Sequence, residues 1–244
     1  MAIDLFAAML CLPRQTKVMP IVDTECQVIL AAELHNQELL IGQCGISHPA
    51  TGPTYPTDCR NPNLLFDKTS HQEPLASPIR RVFYVDEKTN SEIRLKLNPA
   101  IVESLQHRDV VIFSAGSLYT SLLPLFIFPD MAPLIEAAPC KILILNSFED
   151  RETEGMTGFD FVVAIHRALM ADFESPSTAL NLGRFVTHLV YSSNSDVPVD
   201  LEHLGSFNIQ CVPVRGAHEE VLGKPVYDHA ALYEVLKHIV KCTK

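Results

Sequence analysis

The sequence predicts an α/β protein: a Rossmann-like three-layer fold with a mostly parallel sheet, plus a small β-rich insert near the N-terminus. Three observations carry this. Two short β-branched runs, residues 110–113 and 142–145, are each followed at once by polar and glycine residues. Continuous apolar runs bounded by turn signals read as strands buried on both faces of a parallel sheet. A short helical pattern at 131–138 lies between them, and strand–helix–strand order implies a right-handed parallel crossover. Ahead of them, apolar stretches separated by polar turns read as antiparallel strands.

Taken in order, residues 1–12 are apolar but carry Asp4 and no basic leader, so they read as a helix and not as a signal peptide. That helix has no N-cap, and the chain is expected to lack something upstream. Residues 18–22, 27–34 and 37–41 form a meander around Asp23-Thr24 and His35-Asn36, ended by Gly42 and Gly45. Residues 46–78 form a proline-punctuated surface loop, in which His48 and His71 have no second ligand at metal spacing. Residues 79–85 and 93–97 make a hairpin about 87–90, and Pro99 opens a helix at 99–107. Beyond the two strand–loop units come an amphipathic helix at 159–173, a helical turn at 176–182, strands at 185–191 and 209–214, and a closing helix at 228–240. All 244 residues are expected to form a single domain.

Composition narrows the function. A net charge of −10 without a basic patch argues against nucleic-acid binding. Arg80-Arg81 is isolated and reads as solvated surface. The seven cysteines are odd in number and form no C-x-x-C pair. They are expected as reduced thiols, and the protein as cytoplasmic. No run approaches the roughly 18 apolar residues of a membrane span.

In an open α/β sheet, ligands bind beyond the carboxyl ends of the strands. After the first strand stand Gly116, Ser117, Thr120 and Ser121, a pattern that suits an anion, because glycine allows close approach and free N–H groups attract phosphate. A tight strand-to-helix turn capped by Ser117 is the alternative. After the second come Asn146 and the acidic loop Glu149, Asp150, Arg151, Glu152 and Glu154, with Asp160 beyond. Clustered carboxylates suit Mg²⁺ beside a phosphate, or equally a solvated acidic loop. The metal ligands are not defined by this pattern.

These residues resemble the CofD/YvcK family. Ser114-Ala115-Gly116-Ser117-Leu118-Tyr119-Thr120-Ser121 with Pro124 is similar to its strand–G-P-G-S-L-Y-T-S motif from the second glycine onward. Asn146, Glu152, Thr153, Gly155 and Asp160 are similar to its second motif, N…G-E-T-x-G…D-H, with Arg151 for the glycine and Phe161 for the histidine. Gly42-Gln43, Ile46-Ser47-His48-Pro49 and Arg81-Val82-Phe83-Tyr84 resemble plant and fungal members. The family's opening G-G-T-G turn is not found, so a single, N-terminally truncated domain of this type is expected. The resemblance implies phosphoester transfer from a nucleotide-activated donor, of the 2-phospho-L-lactate transferase type. Gly116, Ser117, Tyr119, Thr120, Ser121, Asn146, Arg151, Thr153 and Gly155 would hold a GDP- or UDP-sugar-type nucleotide. Glu152 and Asp160 would serve catalysis, with Mg²⁺ as cofactor and a homodimer as the assembly. A non-catalytic UDP-sugar-binding regulator of carbon metabolism and an inactive truncated homologue are the alternatives.

Overall fold

Four parallel strands carry the two loops. The computed structural model describes residues 9, 11, 13, 16–24, 26–47, 74–114, 116–220 and 223–243. The expected helix at 1–12 and most of the proline-rich loop, including His48 and His71, lie outside those residues.

An antiparallel sheet comes first, from β1 (Val28–Leu34), β2 (Leu39–Ile41) and β3 (Ile79–Asp86), in the order β2-β1-β3. Where Gly42 and Gly45 were expected only to end the pattern, a five-residue helix α1 (Gln43–Ser47) follows β2. Gly42, at φ +82°, makes the turn into it. The strands expected at 18–22 and 93–97 are reduced to one bridge between them, Val22 to Leu97, with a second, Val85 to Glu92, just ahead of residue 93. The turn between β3 and 93–97 is present: Asp86 Oδ1 accepts the Lys88 and Thr89 amides at 3.0 and 2.9 Å. Past Ile93, whose amide donates to Tyr84 O, the chain leaves the ladder. Helix α2 (Pro99–Leu105) then starts at Asn98, whose side chain accepts from the Ala100 amide.

The main sheet is β4 (Val110–Phe113), β5 (Cys140–Ile144), β6 (His188–Ser192) and β7 (Gln210–Val214), all parallel and in sequential order. Between them lie α3 (Met131–Ala137), α4 (Gly158–Met170) and α5 (Leu201–Ser206). The six-residue α5 was not expected; Asp200 caps it by accepting the His203 amide at 2.9 Å. Strand β6 begins three residues later than expected, because residues 182–184 form a 3-10 turn that buries Phe185 and Val186 ahead of it.

Alternation along β5 makes the layers. Leu143 and Leu145 face the large core shared with Met131, Ile135, Phe161, Ile165 and Leu204. Cys140 and Ile142 face a smaller core closed by Ile239 of α6 (His229–Cys242). Strand β5 is buried throughout, as expected. Strand β4 is not: it is the edge of its sheet, and Ile112 is 42% exposed. A short hairpin, β8 (Gly216–His218) with β9 (Pro225–Tyr227), lies before α6 and was not read from the sequence. Its Tyr227 hydroxyl sits 2.5 and 3.0 Å from the carbonyl oxygens of Leu145, just past β5, and Val190, in the middle of β6. No helix among the described residues is long and apolar enough to cross a membrane.

Candidate functional site

Beyond β4 the chain winds into a π-helical turn, Leu118–Leu122, and then a 3-10 turn, Leu123–Leu125. The Ser117 carbonyl accepts both the Ser121 amide at 2.9 Å and the Leu122 amide at 3.2 Å. Such wide turns are uncommon and concentrate at functional sites. Ser117 stands at the N-cap position, yet its side chain makes no capping bond. Gly116 packs closely on the turn: a Cβ built there would lie 3.0 Å from Ser121 Cβ. Ser121 is exposed and Ser117 half-buried.

The turn is held from below by Glu152, which is only 5% exposed. Its Oε2 accepts the Tyr119 amide at 3.2 Å, and its Oε1 accepts the Thr120 hydroxyl at 2.9 Å and the Ser47 hydroxyl. Ser47 Oγ also lies 3.3 Å from Thr120 Oγ1. Burial pushes the Glu152 carboxyl up from its ordinary value, while the Ser47 hydrogen bond pulls against it. Next to it, an Arg151 η nitrogen donates to the carbonyls of Gly45 and Ile46 at 3.2 and 3.0 Å. The dipeptide Arg151-Glu152 therefore fastens α1 of the antiparallel sheet to the loops of the parallel one. Ser47 belongs to a stretch the sequence marked as family-like, but only the folded chain brings it to Glu152.

The other nominated residues fall into two groups. Thr153 and Asp160 are engaged locally. Thr153 Oγ1 donates to Asp150 Oδ1 at 2.8 Å inside the acidic loop. Asp160 Oδ2 accepts the Thr157 amide and hydroxyl at 2.8 and 2.7 Å, completing a capping box at the start of α4. Gly155, at φ +72°, closes the loop and donates its amide to Glu149 Oε2 at 3.2 Å. Asn146 is different: half-buried at the end of β5, its amide group has no hydrogen-bond partner among the described residues. Tyr119 is buried, its hydroxyl 3.9 Å from Met156 Sδ; burial raises its pKa first, and the charges of Asp160 and Glu152 add to that.

The acidic residues thus point to separate partners. Among the described residues no three His, Cys, Asp or Glu side chains converge as a metal site.

A model of one family, described as 2-phospho-L-lactate transferase CofD, matches residues 1–214. The chain belongs to the CofD family. It is 26% identical to an uncharacterized protein of Saccharomyces cerevisiae over 80% of its own length and 55% of that protein's. A shorter stretch, 28% of the chain, is 31% identical to a Deinococcus radiodurans protein named "Putative gluconeogenesis factor", of which it covers 15%. The chain therefore spans about half, or less, of the curated relatives it matches. A crystal structure of a Bacillus halodurans protein superposes with a TM-score of 0.67 at 18% identity, covering 98% of this chain and 65% of that one. Another crystal structure from the same organism, of a UPF0052 family member, gives 0.65 at 19%. Both share the fold described above.

Proposed function

We propose that the crevice beyond β4 and β5 binds the phosphate-bearing part of a nucleotide or nucleotide-sugar, as a CofD-type transferase of phosphoester groups would use it. One observation carries this. Glu152 satisfies the Tyr119 amide and the Thr120 hydroxyl from inside, which leaves Ser117, Ser121 and the Asn146 amide unengaged at the ends of two neighbouring parallel strands. Hydroxyls, a side-chain amide and a glycine that permits close approach suit an anionic phosphate. Catalysis at such a site is positioning and charge neutralisation more than covalent chemistry.

A second reading, nucleotide-sugar binding without turnover, is favoured by the engagement of both nominated catalytic carboxylates. Glu152 is a buried acceptor and Asp160 a helix cap. Thermal unfolding with GDP or UDP-N-acetylglucosamine, each with and without Mg²⁺, tests both readings. Stabilisation by a nucleotide supports the crevice, and stabilisation by a UDP-sugar with no product formed favours the second reading. A folded sample that no nucleotide stabilises removes both.

A further inference from the structure

A pocket of about 170 Å³ is lined by residues of β3 and α4, with Tyr119 in its wall. That is smaller than the roughly 300–1,000 Å³ of drug-sized ligand sites and does not admit a nucleotide. Most of its wall is apolar, including Ile79, Val82, Leu123, Val163, Ala164 and Phe173. Its polar lining includes three arginines, and their charges are not equally compensated. Arg80 and Arg81 each donate to Glu33 at 2.7 Å; Arg80 also meets Glu174, and Arg81 grips Glu92 with two bonds of 3.0 Å. Arg167 pairs with no carboxylate among the described residues. One η nitrogen donates to Ser175 O at 3.2 Å, and its Nε is buried without a hydrogen-bond partner.

We propose that this pocket binds a small carboxylate-bearing molecule with a compact apolar body, its carboxylate set against the Arg167 guanidinium. A guanidinium recognises a carboxylate through its planar fork of donors, and a partly desolvated site strengthens that pairing. Asp160 borders the same pocket, two turns earlier on α4 and so about 10 Å along the axis. Its carboxylate is turned onto Thr157, which places the anionic end of a ligand at Arg167 and the apolar end towards Met156 and Leu123. The pocket shares Tyr119 and Asp160 with the residues nominated for the nucleotide crevice, whereas Ser117, Ser121 and Asn146 do not line it.

Isothermal titration of the full chain with isobutyrate, isobutyramide and inorganic phosphate tests it. Saturable binding of isobutyrate, at least tenfold tighter than the neutral amide, is expected. Arg167→Gln should weaken it at least tenfold, and Ala164→Leu, which fills the cavity, should abolish it. Asn146→Ala should leave it unchanged, whatever happens to nucleotide binding. No saturable binding to the folded wild type overturns the proposal, as does equal binding of the amide. Phosphate binding in place of isobutyrate removes the carboxylate assignment, and isobutyrate binding that survives both pocket variants removes the site.

Discussion

The Ser47 hydroxyl donates to the Glu152 carboxylate across 105 residues of sequence, and through Glu152 that contact joins helix α1 to the π-helical turn after β4. Removing the hydroxyl leaves a buried carboxylate short of a donor. Ser47→Ala should cost about 1.5–3 kcal/mol, the range for a hydrogen bond to a charged group. It should also push the Glu152 carboxyl further up, because that bond favours its charged form. Urea unfolding gives the first quantity and the pH dependence of unfolding the second; an unchanged midpoint would show the contact to be incidental.

Glu152 itself carries a pH signature. Its folded-state pKa is raised, chiefly by burial, above the ordinary 4.5. The folded protein therefore holds this proton more tightly than the unfolded chain. Stability from this group is fully present below about pH 4.5 and is lost as pH rises through the folded value. Glu152→Gln cannot titrate here, so the wild type should lead the variant most at low pH and by less at pH 7. Melting curves of the two proteins from pH 4 to pH 8 check this; a gap that widens with pH would mean that the three donors outweigh burial.

Asn146 separates binding from folding. Its side chain has no described partner, so Asn146→Ala should change stability by no more than about 0.5 kcal/mol. Loss of a ligand contact of this kind should weaken nucleotide binding roughly tenfold, which corresponds to about 1.4 kcal/mol. Gly116→Ala should act differently. Its new methyl meets the Ser121 side chain at 3.0 Å and presses on the turn by a few tenths of an ångström, so stability and binding should fall together, each modestly. Titration calorimetry beside unfolding curves distinguishes the two patterns.

What the sequence disclosed, and what it did not, follows range of interaction. Strand β5 was legible because five consecutive buried residues need an unbroken apolar run. Helix α4 was legible from its periodicity and its start near Thr157, although the Thr157–Asp160 capping box was not recognised. Residues 93–97 have strand composition, but β3 makes its ladder with β1, and only single bridges hold that segment. The pair Arg80-Arg81 looked like solvated surface because Glu33, which joins them, comes from the neighbouring strand, where it sits opposite Arg81. In the candidate site, the motif residues were visible as types. Their division into inward acceptor, helix cap and unengaged groups was not, since Ser47 reaches Glu152 only once both sheets have formed. Helix α5 and the β8–β9 hairpin are too short for periodicity to register.

Asp160 allows its two roles to be told apart. As the acidic member of a capping box, it accepts the Thr157 amide and hydroxyl through one oxygen, Oδ2. Asp160→Ala removes both bonds and the favourable charge at the helix start, and should cost about 1–2 kcal/mol. Asp160→Asn keeps an oxygen for both donors and loses only the charge, so it should remain within about 0.5–1 kcal/mol of wild type. If Asp160 works only as a cap, the asparagine variant keeps nucleotide binding and any transfer rate within about twofold of wild type, a difference of roughly 0.4 kcal/mol. If its charge acts on a ligand, the asparagine variant loses binding or turnover at nearly unchanged stability. Thr157→Ala is the control, since it damages the cap while leaving the carboxylate in place. Unfolding and nucleotide titration of the three variants together decide which role Asp160 has.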